Sequence, residues 1–296
     1  MVEGEKATLA MTNNDLCNAM TVDVEDYFHV SAFEPHIDPR QWGSYPCRVE
    51  RNVEIILELF DQHRARATFF TLGWVAERYP GLIRRIVESG HELASHGFSH
   101  IHVHDQTAAL FRDDVKRTKA LLEDTGGVAV RGYRAASFSI GKRSLWAFDV
   151  LAEEGYRYSS SIYPIHHDHY GMPEAPRFAF RPNPRETFIE VPITTVSLWG
   201  QTLPCGGGGY FRLLPYSVSR WALRQVNKTE GEPCIFYFHP WEIDPGQPRI
   251  PGLSLKTRFR HYLNLGRMRD RLAAVLRDFH WNRMDEIFLE NEETAK

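Results

Sequence analysis

Apolar residues along this chain switch between a helical period and short strand-length runs, and that alternation restricts the fold more than any single motif does. Val53, Ile56, Leu57 and Phe60 fall at i, i+3, i+4 and i+7, the stripe of an amphipathic helix. Ala67 to Leu72 then reads as a buried strand closed by Gly73. Tyr79, Leu82, Ile83 and Ile86 repeat the helical stripe, which Gly90 ends as a C-cap. His91 to Ala94 is a short strand, and Phe111, Val115, Thr118 and Leu122 mark another helix before Gly126 and Gly127. Strands alternating with helices of this length predict a parallel sheet or barrel.

The second half is less regular. Ser144 to Glu154 reads as a helix, Tyr156 to Ile162 as strand-like, and Phe188 to Pro192 and Cys234 to Phe238 as the clearest late strands. His239 follows the last of these directly. In parallel sheets and barrels the loops after the strands build active sites, so residues in such places are the first to weigh.

Length and composition narrow the classes. At 296 residues the chain buries a substantial core, and a hydrophobic fraction of 43% with 25% charged residues is that of a globular protein. A formal net charge of −3 gives no case for nucleic-acid binding. Cys17, Cys47, Cys205 and Cys234 form no CxxC pair, so neither a disulfide framework nor a thiolate zinc site is indicated, and a reduced compartment is expected. The first twenty residues lack the apolar core of a secretory signal, and no run approaches the roughly 18 apolar residues of a membrane span. A cytoplasmic location is the resulting expectation.

Two stretches carry the chemistry. Asp23, Glu25 and Asp26 close the run Ala19-Met20-Thr21-Val22, where a strand ends and a loop begins. Residues i and i+2 of a strand share a face, so Asp23 and Glu25 project together while Val22 and Val24 turn into the packed layer. Ser95-His96-Gly97-Phe98-Ser99-His100 places two imidazoles four residues apart after a later strand. Two imidazole nitrogens and a carboxylate oxygen form a common facial set for zinc or a similar divalent ion. One acid can ligate and the other stay free as a base, which points to a metal-dependent hydrolase.

With these motifs in this order, the chain resembles the polysaccharide deacetylases of the NodB-homology type, carbohydrate esterase family four. It is most similar to the branch with an acid-rich first motif found beside exopolysaccharide-assembly loci. The resemblance runs over residues 18 to 285 and implies a distorted (β/α) barrel of about seven strands. Residues 1–17 are then an N-terminal tail, 18–240 the barrel, and 241–296 a C-terminal extension packed on it. The resemblance further implies Asp23 as catalytic base, Glu25 with His96 and His100 as metal ligands, Arg134 as the residue orienting the base, and His239 as the acid. Asp26 remains a second candidate ligand, because usual members have adjacent Asp residues where this chain spaces its acids by Val24. The usual prolines after the arginine are Ala135 and Ala136 here. Tyr158-Ser159-Ser160-Ser161 holds no carboxylate to support the catalytic His, leaving Glu242 and Asp168 as candidates. The Ser137 backbone N–H matches a position that helps hold the oxyanion.

The activity so implied is removal of N-acetyl groups from sugars of an exopolysaccharide or its precursor, with one divalent ion, zinc by preference, as cofactor. The partner is an N-acetylated oligo- or polysaccharide; the missing signal peptide favours an intracellular precursor, a lipid-linked one being one form of it. One rival reading is an allantoinase-like hydrolase of small cyclic or linear amides. Another is an inactive carbohydrate-binding or assembly protein, whose sign would be His239 pointing away from the metal site.

Three further features are weighed against plain structural roles. Cys205 through Arg212 is a glycine run that lacks the Lys and Ser/Thr of a phosphate loop, and it reads as a flexible connection or as a loop closing over sugar with Tyr210 stacked on it. Trp199, Tyr163 and Trp241 are other sugar-platform candidates, although most rings fill core. Between Lys256 and Arg277 seven Lys/Arg face the single acid Asp270, a candidate for peripheral contact with an anionic membrane surface or, more simply, a solvated helix face.

Overall fold

The computed structural model describes residues 16–167, 171–183, 185 and 187–289. Most of the expected tail and Asp168 lie outside the described residues. Strand β1 (Cys17–Val24) is buried beyond its first residue. Three short 3-10 turns lead from it to α1 (Val49–Gln62), which buries Val53, Ile56, Leu57 and Phe60 as their spacing requires. There follow β2 (Thr68–Thr71), α2 (Gly73–Arg78), α3 (Pro80–Glu88), β3 (Glu92–Ser95) and α4 (Ala108–Gly126). Helix α3 ends at Ser89 and turns out through Gly90 at φ +80°, a backbone state that costs glycine little.

Next come β4 (Gly132–Tyr133), α5 (Trp146–Glu153), β5 (Tyr158–Ser159) and β6 (Ile189–Glu190). The strands expected over 156–162 and 188–192 are thus two residues long, with buried extended backbone around them. An antiparallel hairpin of β7 (Thr195–Leu198) and β8 (Gln201–Pro204) forms its own small sheet. Then α6 (Gly208–Leu213), α7 (Tyr216–Gln225), β9 (Ile235–Phe238), α8 (Leu255–Tyr262), α9 (Leu265–Asp278), β10 (His280–Asn282) and α10 (Met284–Phe288) complete the chain. The basic stretch is therefore two helices, broken where Asn264 adopts φ +53°. Helix α9 buries Leu265, Met268, Leu272, Val275 and Leu276, whereas α8 leaves Leu255 and Phe259 exposed.

Seven parallel strands run β9-β1-β2-β3-β4-β5-β6 and curl into a half-barrel. An eighth, β10, pairs with the first half of β1 through Cys17, Asn18 and Ala19, on the edge that β2 takes over from Thr21. Between β6 and β9 the barrel is laced by Ile235 N–H to Thr194 Oγ1 at 2.6 Å and Tyr237 N–H to the Gly206 carbonyl at 2.8 Å.

Alternation along the strands sorts the side chains. Met20, Val22 and Val24 of β1 and Phe69 of β2 join the large cluster under the helices. Ala19, Phe70 and Ala94 turn inward to meet Tyr158, Val191, Ile235 and Tyr237 inside the barrel. Asp23 shares the inward face of β1 with Ala19 and Thr21, which sets it at the barrel mouth where the strands end.

Candidate active site

Strand β1 stops at Val24, and the Glu25 N–H donates to the Asp23 carbonyl at 2.9 Å, so a tight turn rather than continued strand brings the two carboxylates to one mouth. The loop after β3 carries the histidines. Gly97 at φ +72° and His100 at φ +55° fold it tightly, and the carboxylate of Asp114 on α4 accepts from the Phe98 N–H at 3.2 Å. Glu25, His96 and His100, all buried, each present one donor atom, and these atoms lie within 4.8 Å of one another. The Glu25 Oε2 oxygen is 3.0 Å from His100 Nε2 yet has no hydrogen-bond partner. His96 Nδ1 lies 2.8 Å from the Arg134 carbonyl, which can only accept, so that nitrogen carries the proton and Nε2 keeps its lone pair.

Electrostatics agree with that protonation. Burial lowers His96, and burial together with the neighbouring imidazoles holds His100 well below the usual histidine range, so both rings are neutral. Burial pushes Glu25 up to about 7 despite the opposing pull of His239. Two neutral imidazoles and a carboxylate with an orphaned buried oxygen are a donor set that a divalent cation fits.

Asp26 stands outside this group. Its Oδ1 accepts from the Tyr27 N–H at 2.8 Å, and its Oδ2 accepts from the N–H of Arg48, from that of Val49 at 2.8 Å and from Cys47 Sγ. The carboxylate is spent on capping the start of α1, whose own N-cap, Arg48, offers no side-chain acceptor. The expectation that left Asp26 open as a ligand is corrected accordingly.

Arg134 is fully buried inside the barrel. Its Nη1 donates to Asp23 Oδ1 at 2.6 Å and Thr21 Oγ1 at 2.8 Å, and its Nε to the Ser160 carbonyl at 3.0 Å. Its Nη2 donates to Ser160 Oγ at 2.9 Å, and the guanidinium lies 4.1 Å over the Phe70 ring. The serines that hold no carboxylate for His239 thus hold the arginine instead. Ser161 Oγ accepts from the Ala135 N–H, and Glu190 Oε1 accepts from the N–H groups of Ser161 and Ile162 at 2.8 Å, fixing the serine turn from below.

His239 closes the opposite wall. Its Nε2 is 3.3 Å from Glu25 Oε1 and 3.9 Å from Asp23 Oδ2. Its Nδ1 donates to Glu242 Oε1 at 2.8 Å, and its backbone N–H reaches the same oxygen at 3.0 Å. Arg212 Nε donates to Glu242 Oε2 at 2.7 Å, while its Nη atoms donate to carbonyls at the end of α8. Burial would lower His239, but the Glu25, Glu242 and Asp23 carboxylates raise it to about 9. Burial would raise Glu242, but Arg212 and His239 hold it down at about 2. Glu242 was a sequence candidate; a helical turn opened by His239-Pro240 with an acid three residues on has the form of a capping box. Arg212 carried no sequence signal, being separated from Glu242 by a helix and a strand.

The substrate-side residues fare unevenly. Ser137 adopts φ +50°, and its Oγ is 2.8 Å from Ser31 Oγ. Tyr210 is half-buried in the first turn of α6. The glycine run beside it is packed, not loose: a Cβ on Gly207 would strike the Tyr237 ring at 2.6 Å, and one on Gly208 the Glu242 carboxylate at 2.4 Å. Trp199, 93% exposed, tips the β7–β8 hairpin, whose base is tied through Arg177 to Thr195 and Glu230. Glu230 precedes β9, so the base of the hairpin is held from the end of that strand away from His239. Tyr163 is buried against Phe138 and Tyr237, and Trp241 stacks between His239 and His261.

Residues 43–159 match the family described as polysaccharide deacetylase. That match takes in α1 through β5 and with them His96, His100 and Arg134. Residues 160–289 match a domain of unknown function (DUF3473), so Asp23 and Glu25 precede the first match while His239, Glu242 and Arg212 lie in the second. The chain is 32% identical over 93 residues to a peptidoglycan-N-acetylglucosamine deacetylase of Bacillus cereus, covering 31% of this chain and 34% of the relative. It is 33% identical over 97 residues to a chitooligosaccharide deacetylase of a Bradyrhizobium species, covering 33% and 42% respectively. These matches span well under half the length of the curated relatives. A crystal structure of a Mycobacterium smegmatis protein of polysaccharide deacetylase type shares the fold, with a TM-score of 0.58 at 20% identity over 91% of this chain and 87% of the other. Among the described residues no helix is long and apolar enough to cross a membrane.

Proposed function

We propose that this chain is a metal-dependent amide hydrolase that removes N-acetyl groups from sugar units of an exopolysaccharide or its precursor, with Glu25, His96 and His100 holding one zinc ion. The observation that carries this reading is the meeting of that donor set with the Asp23–Arg134 pair on one side and the His239–Glu242 pair on the other. A divalent ion held there supplies Lewis acidity toward an acetyl carbonyl and lowers the pKa of water. Asp23 takes the proton of the attacking water as general base, aligned by the bond from Arg134. His239, its Nδ1 proton fixed on Glu242, gives a proton from Nε2 to the departing amine. The Ser137 backbone N–H helps hold the oxyanion, and Tyr210 stacks on the sugar. N-acetylglucosamine-containing glycans, the substrates named for the Bacillus cereus relative, are the first to try.

The inactive-scaffold alternative expects His239 to point away, whereas its Nε2 is 3.3 Å from Glu25. The test is zinc content by mass spectrometry together with acetate release from N-acetylated oligosaccharides, for wild type, Asp23→Asn and His96→Ala. Both variants lose turnover, and only His96→Ala loses the ion. Full activity in Asp23→Asn would refute the assigned base.

A further inference from the structure

Two residues past the loop that carries His100, a short turn (Val103–Asp105) presents His102, His104 and Asp105 at the surface. The two imidazoles lie with ring centroids 5.2 Å apart at 32°. One donor atom from each of the three residues falls within 4.8 Å of the others. His104 Nδ1 is 3.4 Å from the Ser139 carbonyl, an acceptor only, so the proton resides there and Nε2, 3.9 Å from Asp105 Oδ1, keeps its lone pair. His102 Nε2 is bonded to Ser31 Oγ at 2.9 Å, and its Nδ1 lies 3.5 Å from Asp105 Oδ2. Both rings are therefore steered from behind by a hydrogen-bonding oxygen while their other nitrogens face one carboxylate at more than hydrogen-bonding distance. Metal-binding histidines are oriented in this way, by an outer hydrogen bond that fixes the tautomer.

We propose that His102, His104 and Asp105 form a second divalent-cation site, distinct from the Glu25, His96 and His100 set. Two imidazoles with one carboxylate suit zinc, copper or nickel and disfavour magnesium and calcium, which take oxygen ligands. The three side chains are 19%, 39% and 63% exposed, so water fills the remaining positions and the site binds more weakly than a buried one. Its occupant is coupled to the candidate active site, because the Ser31 hydroxyl that orients His102 also meets Ser137 Oγ at 2.8 Å.

The test is equilibrium dialysis of the full chain against buffered free zinc, with protein-bound zinc counted at each concentration. Wild type is expected to bind one ion tightly and a second at higher free zinc. His104→Ala and, independently, Asp105→Asn lose the second step and keep the first, with circular dichroism unchanged because both side chains face solvent. His96→Ala loses the first step and keeps the second. A wild type that saturates at one ion lost only in His96→Ala overturns the rim site and leaves the proposed function standing. A second step that persists in both rim variants also overturns it. One ion lost in His104→Ala but not in His96→Ala supports the rim site and sinks the metal reading of the buried one.

Discussion

Replacing Gly208 with alanine tests whether Glu242 is locked in place behind His239. A Cβ there would stand 2.4 Å from each Glu242 oxygen and 2.7 Å from its Cδ, closer than such atoms approach. Glu242 cannot swing aside freely, because its oxygens accept from His239 Nδ1 at 2.8 Å, the His239 N–H at 3.0 Å and Arg212 Nε at 2.7 Å. Hydrogen bonds to charged groups are worth about 1.5–3 kcal/mol each, so displacing the carboxylate costs more than shifting α6, for which overpacking predicts about 1–3 kcal/mol. The smaller cost decides: α6 shifts, Glu242 keeps its bonds to His239, and Gly208→Ala is expected to lose about 1–3 kcal/mol of stability. Gly209→Ala is the control: nothing lies within 4 Å of its Cβ position, and alanine in a helix gains about 0.5–1 kcal/mol over glycine. Urea unfolding of the two variants measures the difference. If Gly208→Ala unfolds at the same urea concentration as Gly209→Ala, the packing of α6 against Glu242 is not as tight as described.

Two other outcomes follow from buried charge. Arg134→Met strands the Asp23 carboxylate without its counter-charge and should cost about 3–5 kcal/mol, part of which returns in the Asp23→Asn, Arg134→Met double variant; costs of the two single variants that simply add in the double would show that the pair is not coupled. Burial and the nearby Asp285 push Glu92 from 4.5 up to about 8. Between those values the folded state keeps a proton that the unfolded chain has shed, so this group's contribution to stability falls as pH rises. Glu92→Gln should flatten that decline in urea unfolding between pH 5 and pH 8, and an unchanged slope would place the proton elsewhere.

The elements that read most clearly in the sequence are those whose burial follows a period. The stripes at Val53 to Phe60 and Phe111 to Leu122 became α1 and α4. The alternation around Asp23 put Val22 and Val24 in the core and the acid on the inner face. Strands β5 and β6 were overextended because buried extended backbone has the same composition as a paired strand, and pairing partners are invisible locally. Strand β10 and the β7–β8 hairpin had too few residues to show a period at all.

Spacing along the chain determined that His96 and His100 could share a target and that an acid stands at the end of the first strand, because those are properties of a backbone over a few residues. Closure of the sheet decided the rest. It gave Asp26 the start of α1 to cap and left Glu25 beside His96 and His100, set Ser160 behind Arg134, and brought Arg212 to Glu242 from 30 positions away. It also tied the base of the hairpin that carries Trp199 to Glu230, ahead of β9. A buried polar group must find a partner wherever the fold supplies one, and in this barrel buried Asn18 bonds the His280 carbonyl 262 residues away, beyond the reach of any local pattern.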